Sequence, residues 1–354
     1  MSEFTVSVVV PTYNRAYCIA KTLDSVFAQT HQDFELLVVD DGSTDRTREL
    51  VLDTYGKDPR LRYLEKINGG VSSARNHGLR AATGAFVALL DSDDWWVPWK
   101  LELQVTAMQR LPHVGMIWTD MDAIDDQGVV TKNFLRDMYS AYKWFGKDDL
   151  FTESHPLAEV AGPRSALAAH VGAKKLYAGD IFSQMVMGNL VHTSTVLLRR
   201  NRVEKVGLFN EGLRHAGEDY EYHLRTCRIG PVAYADVSTI FYQRGRPDRI
   251  TRNDNRIHFA QGFLQTIRPV IERERDRIRL PQEMIDDVLA EAHAWVGNEL
   301  MERGQNLSAI PHLARSLFHK PYQLHTAGMF AFACIPPKVG QPLRRAFREL
   351  KGAS

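Results

Sequence analysis

An aspartate placed just after a buried apolar strand is costly unless it is solvated, hydrogen-bonded or bound to a metal. This chain repeats that arrangement. Asp91-Ser-Asp-Asp94 follows the apolar run 85–90, Asp40-Asp-Gly-Ser43 follows the run 34–39, Pro11-Thr-Tyr-Asn14 closes the run 6–10, and Asn68-Gly-Gly70 lies between them. Gathered on one edge, Asp40, Asp41, Asp45, Asp91, Asp93 and Asp94 repel one another and call for a cation. In an extended segment Asp91 and Asp93 alternate with Ser92, so one carboxylate can address a metal while the other reaches a neighbouring ligand group. Hard oxygen ligands favour Mg²⁺ or Mn²⁺ over zinc, and such ions take waters and substrate phosphates as further ligands, which points to a nucleotide diphosphate. The competing reading of Asp91-Ser-Asp93 is a turn with a helix cap before 95–103; its position after an apolar strand favours the metal.

Composition and missing motifs narrow the chemistry. The 354 residues carry 44 Lys+Arg against 43 Asp+Glu, a net charge of +1, and 44% hydrophobic content, as expected of a globular protein with room for two structural units. No global field grips a nucleic acid duplex. Cys18, Cys227 and Cys334 show no paired spacing, the first residues do not read as a secretion signal, and no apolar stretch reaches bilayer length. A reducing cytoplasm is the expected compartment. Gly69-Gly70 does not complete a dinucleotide fingerprint, and neither a P-loop, a nucleophile elbow nor a zinc-peptidase helix motif is present.

The elements that must position these residues alternate. Apolar β-branched runs at 6–10, 34–39, 61–64 and 85–90 read as strands, and 16–29, 47–55 and 72–82 read as helices. This predicts an α/β fold, a mostly parallel sheet with helices on both faces. Residues 120–179 read as loops and short helices. Strands are expected again at 195–198, 231–235 and 239–242, with a helix from Asp219 to about Cys227. After Asn255 long charged amphipathic helices at 256–279, 281–303 and 307–319 predict an α-helical C-terminal appendage. There Gly297, Ala309 and Pro321 stand at the offsets of a tetratricopeptide hairpin, and a lone unit favours simple packing over a peptide-binding array.

Together the marked segments resemble the family-two glycosyltransferases, whose GT-A (Rossmann-like) fold carries P-[TS]-Y-N, D-D-G-S, N-x-G-x-[SA]-x-A-R-N and L-D-[SA]-D-D in this order. Here they stand as Pro11–Asn14, Asp40–Ser43, Asn68–Asn76 and Leu90–Asp94, within a resemblance covering about 5–245. It implies a nucleotide-binding half at 1–120 and an acceptor-binding half at 121–250, with 251–354 as the helical region. It also implies roles. Pro11, Thr12, Tyr13, Asn14 and Asn68 border the nucleotide, Asp40 or Asp41 reads the base or ribose, and Arg75 balances phosphate charge or else sits on a helix surface. Asp93 is the principal metal ligand, with Asp91 and Ser92 beside it at the ribose or metal. Gly217-Glu-Asp-Tyr-Glu221 resembles the family's E-D motif, which makes Asp219 the expected base of an inverting transfer, with Glu218 second. As helix-start acids both also suit the dipole.

The implied activity is transfer of one sugar from a nucleotide-diphospho-sugar, UDP being the expected nucleotide, to a saccharide or lipid-linked saccharide acceptor in surface-glycan synthesis. A Q-x-x-R-W segment is missing after Asp219, which disfavours processive polymerisation. The alternatives are a GT-A nucleotidyltransferase, which would want a basic glycine-rich loop where Pro11-Thr-Tyr-Asn-Arg15 stands, and a noncatalytic glycan- or nucleotide-binding scaffold. His192 is expected near the diphosphate or in the core, and Trp95, Trp96 and Trp99 as a sugar platform or as packing. The tail 327–350 pairs apolar residues with Lys338, Arg344, Arg345 and Arg348, suited either to an anionic membrane at the inner face or to ordinary packing.

Overall fold

The computed structural model describes residues 3–125, 127–162, 165–214, 216–245 and 255–335. It divides into two compact units, Met1–Arg249 and Ile250–Ser354. In the first, β1 (Val6–Thr12), β2 (Phe34–Asp40), β3 (Leu61–Glu65) and β4 (Phe86–Leu89) are linked by α1 (Ile19–Phe27), α2 (Thr47–Tyr55) and α3 (Val71–Ala81). Strands β1, β2 and β4 are buried on both faces, as a helix-covered parallel sheet requires, while the edge strand β3 is only partly covered. Ile19, Leu23 and Val26 turn one stripe of α1 inward.

The chain continues through β5 (Trp95–Trp96), α4 (Lys100–Arg110), β6 (Met116–Ile124), β7 (Val130–Thr131), α5 (Leu135–Met138), α6 (Lys147–Leu150), β8 (Glu153–Pro156), α7 (Leu157–Ala161), α8 (Ala166–Val171), β9 (Lys175–Gly179) and α9 (Phe182–Met185). It closes with β10 (Leu197–Arg199), α10 (Arg200–Val206), α11 (Glu218–Arg228) and β11 (Val232–Gln243). The sheet order is β3-β2-β1-β4-β10-β6-β11-β9-β8, with β5 on β11 and β7 on β6. Strands β3, β2, β1 and β4 run parallel, as β6 and β11 do, while β10 lies antiparallel between the two sets. The sheet grows outward from β1 to β3 and then restarts on the other side at β4, so the carboxyl ends of β1 and β4 flank a topological switch point, where open α/β sheets bind ligands.

Three expectations are corrected. Residues 120–179 hold the expected short helices, α5 to α8, but also unexpected strands: β6 enters this segment and β7, β8 and β9 lie within it. Asp120, buried in β6, accepts hydrogen bonds from the Met121 and Leu135 N–H groups and from the Tyr234 hydroxyl at 3.1 Å, so this acid is compatible with a core strand. The helix expected from Trp95 begins at Lys100, because Trp95 and Trp96 pair with Phe241 and Ile240 of β11. The runs 231–235 and 239–242 form one strand, β11, whose register against β6 shifts between Ala235 and Ile240.

The second unit contains α12 (Arg256–Glu274), α13 (Gln282–Glu302), α14 (Asn306–His319) and α15 (Leu324–Ala333). A Cβ on Gly297 would meet Leu313 Cδ2 at 2.6 Å, so α13 and α14 approach closely at this glycine. Ala309 is buried, and Pro321 follows the end of α14. These residues make a packed hairpin. No helix among the described residues is long and apolar enough to cross a membrane. Of the tail expected to touch a lipid surface, 336–350 lies outside the described residues.

Candidate functional site

The loops after β1, β2 and β3 are knitted together by their own polar groups. Asn14 adopts φ 53°, a left-handed conformation that asparagine tolerates. Its N–H donates to Ser43 Oγ at 2.9 Å and its Oδ1 accepts the Thr44 N–H at 2.7 Å. Asp40 accepts the Ser43 N–H at 2.7 Å and the Tyr63 hydroxyl. Burial first, and then the Asp40 charge, raise the pKa of that phenol. Asp41 accepts the Gly70 N–H at 2.7 Å, the Gly69 N–H at 3.0 Å and the Lys66 ammonium. Gly70, at φ 88°, holds its N–H in this position through a backbone conformation that favours glycine.

Both candidate base-reading acids therefore also build the loop, each with acceptor capacity left over. Pro11 and Thr12 are buried, and Thr12 Oγ1 has no hydrogen-bond partner in the protein. Tyr13 exposes its ring. Asn68 is exposed beside Arg214, whose side chain lies over Gly70.

The loop after β4 carries the acids. The Asp91 N–H donates to Ser194 Oγ at 3.1 Å, and the same hydroxyl donates to Asp94 Oδ2 at 2.6 Å, so one serine fixes both ends of the turn. The Ser92 carbonyl accepts the Thr22 hydroxyl at 2.9 Å, tying the turn to α1. Asp94 is buried and its pKa is raised well above the usual carboxylate range, by burial first and then by the charges of Asp93 and Asp91. Asp93 is half-buried.

Arg75 corrects a further expectation. Its side chain is 4% exposed, so the alternative of a helix-surface residue is what the structure overturns. Nη2 donates to Asp91 Oδ1 at 2.7 Å and Nη1 to Glu218 Oε1 at 2.9 Å, with the Phe209 ring 5.3 Å away. The Asp91 carboxyl is held low: burial alone would raise its pKa, and the Arg75 charge and hydrogen bond more than reverse that. Glu218 is consumed by this bridge, which leaves Asp219 as the acid without an ion-pair partner on α11 among the described residues. Gly217, left-handed at φ 85°, starts the helix. The Asp219 pKa is raised to about 7, by burial first and then by the Glu218 charge, against the opposing Arg75 charge.

Other expected residues fall around this centre. His192 is buried, its ring edge-on to Tyr242 at 5.1 Å. Trp96 is core and donates from Nε1 to the Ser194 carbonyl, Trp99 stacks on His170, and Trp95 stacks on Phe241 beneath Lys21. Ser194, Tyr63 and Lys66 escaped the sequence reading, as did Tyr139, which lies within electrostatic reach of Asp219 and Asp91. None carries a local pattern that would single it out.

Residues 7–157 match the model of Glycosyl transferase family 2. Over 133 residues the chain is 37% identical to the Escherichia coli UDP-Glc:alpha-D-GlcNAc-diphosphoundecaprenol beta-1,3-glucosyltransferase WfgD, covering 37% of this chain and 51% of that protein. The chain thus spans about half the length of this curated relative. Among solved structures, S. aureus TarS 1-349 in complex with UDP-GlcNAc superposes with TM-score 0.53 at 17% identity, covering 97% of this chain and 92% of that one. Mannosyltransferase PcManGT from Pyrobaculum calidifontis, in complex with GDP-Man and Mn²⁺, gives TM-score 0.50 at 22% identity, covering 92% and 78%. At these identities the structures speak for the fold alone. Residues 7–157 thus carry the match to Glycosyl transferase family 2, and the N-terminal unit has the GT-A fold.

Proposed function

We propose that the N-terminal unit transfers one sugar, with inversion, from a nucleotide-diphospho-sugar to a saccharide or lipid-linked saccharide acceptor in surface-glycan synthesis, with UDP as the nucleotide. The observation that carries this reading is the Arg75 bridge. It ties the acidic turn at Asp91 to the start of α11 at Glu218, and so holds the donor-side acids and the base candidate Asp219 in one constellation. In the transfer the acceptor oxygen bonds to the anomeric carbon as the bond from that carbon to the diphosphate breaks, and the acceptor proton passes to the Asp219 carboxylate. A base with pKa near the working pH suits that task.

Pro11, Thr12, Tyr13, Asn14 and Asn68 border the nucleotide in this reading. The exposed Tyr13 ring can stack on the base, and the orphaned Thr12 hydroxyl is available to a ligand. Asp40 and Asp41 offer their remaining acceptor positions to the base or ribose, and Ser92 shapes the turn beside them.

Mn²⁺ or Mg²⁺ fits the acids present. Among the described residues no three side chains form a metal cage, and Asp91 and Asp93, two residues apart in one turn, are the hard oxygen ligands on offer. The raised Asp94 pKa marks an excess of negative charge that a cation would offset. Bound there, the ion would neutralise charge on the departing diphosphate. The reading extends to the cytoplasm and the inner membrane face, with residues 327–350 in contact with lipid.

Measurement of UDP release from a panel of UDP-sugars, with and without Mn²⁺ and with a saccharide acceptor, tests the proposal. Acceptor-dependent release is expected. Asp219→Asn should lose turnover while still binding donor, and near-normal turnover in that variant would remove Asp219 as the base.

A further inference from the structure

Helix α14 has a second apolar stripe. Its inward face, Ala309, Leu313 and Ser316, is buried in the hairpin. On the opposite face Leu307, Pro311, Ala314 and Phe318 recur at the spacing that places residues on one side of a helix, and all are exposed. Leu307 is 78% and Phe318 80% exposed, and just past the helix Tyr322 and Leu324 reach 96% and 94%. Large apolar side chains grouped in this way mark an interaction surface.

Charge identifies the occupant. From Gly304 to Ile335 the chain holds no carboxylate; of its two basic residues Lys320 meets Asp287 of α13 at 2.7 Å, which leaves Arg315, and the sequence that follows adds Lys338, Arg344, Arg345, Arg348 and Lys351 against Glu349 alone. A second copy placed on this face would bring like charges together. An anionic bilayer would accept both features, because apolar side chains enter the acyl boundary while lysines and arginines meet the headgroups.

We propose that the outward face of α14, with Tyr322 and Leu324, docks this chain on an anionic lipid surface. This assigns the contact to a helix face distinct from the tail 327–350. It gives physical content to the proposed membrane location without depending on the catalytic reading. In both α14 variants below the altered residues are exposed, so folding is preserved and is verified by circular dichroism.

The test is co-sedimentation of the full chain with vesicles of phosphatidylcholine alone or mixed with phosphatidylglycerol. The wild type should pellet with the mixed vesicles only, and high salt should release it. Leu307→Glu/Phe318→Glu should lower the bound fraction at least about tenfold, and Leu307→Ala/Phe318→Ala by less. Equal binding of wild type and the Glu variant, no binding by the wild type, or binding indifferent to lipid charge would each overturn the proposal. So would a wild-type dimer in light scattering that the Glu variant abolishes, since the occupant would then be a second copy. Nucleotide release with a lipid-free acceptor should be the same in both α14 variants. Its absence in the wild type would count against the proposed function and leave the docking result standing.

Discussion

Two buried sites, one in each unit, hold titratable groups in opposite ways. At the sheet edge of the N-terminal unit, Arg75 is buried as a cation, and Asp91 and Glu218 meet it as anions. In the helical unit, His293 is buried against His312, their Nδ1 atoms 3.2 Å apart, and is held neutral. Burial first, and then the charges of His312, Arg315, His319 and Arg268, push the His293 pKa down to about 4. His319 in turn meets Asp286 at 3.0 Å. Buried ions cost more than buried neutral groups unless geometry compensates. The histidine cluster takes the less costly course, whereas the sheet edge keeps an ionised bridge, as buried Glu299 does with Arg256 and Arg303, here between segments that the proposed chemistry needs in register.

The sharpest way to break that comparison is to remove the cation. Arg75→Met leaves buried Glu218 and half-buried Asp91 without their cation and should cost about 3–5 kcal/mol in urea unfolding, with loss of transfer. If stability were unchanged, the bridge would not matter to the fold. Asp219→Asn should leave stability nearly intact and lower kcat by about a thousandfold. The pH dependence belongs to the same centre. A base with pKa of about 7 works deprotonated, so kcat/KM should fall roughly tenfold per pH unit below 7 and level off above it. A profile flat down to pH 5 would contradict this.

The neutral side of the comparison has its own test. The folded-state pKa of His293 lies below its unfolded value of 6.5, so the unfolded chain takes up a proton first as pH falls. Stability is complete above pH 6.5 and is lost between 6.5 and about 4, by about 3 kcal/mol for this group. His312, shifted in the same direction, adds to the loss. Hydrogen exchange of α13 at pH 7 and pH 5 measures it, and His293→Phe should flatten the dependence. The smallest effect is steric. Gly297→Ala pushes a methyl group to 2.6 Å from Leu313 and should cost about 1–3 kcal/mol in the helical unit, leaving nucleotide release unchanged.

Much of the N-terminal half was legible because strands buried on both faces leave unbroken apolar runs, and the acids that end them stand out against those runs. Strand β6 was not legible, because Asp120 and Asp122 interrupt its pattern and the group that accommodates Asp120, the Tyr234 hydroxyl, lies far along the chain. Trp95 and Trp96 read as helix because a two-residue strand has no period of its own; pairing with β11 decides it. The hairpin of α13 and α14 was visible in its offsets, since close helix contact demands a small residue at Gly297 whatever surrounds it.

By itself the sequence determined which segments end at the carboxyl edge of the sheet and which residue types they offer there, because apolar runs and the turn residues that close them are local properties of the chain. It could not say what each side chain would hold. Arg75 reads as a phosphate ligand or else as a surface residue, and only the folded chain brings it to Glu218 across a separation of 143 residues. Ser194 likewise clasps Asp94 across 100 residues. Partner choice of this kind depends on which groups lose water together, and that is decided by packing after distant segments meet, not by the pattern of neighbours along the chain.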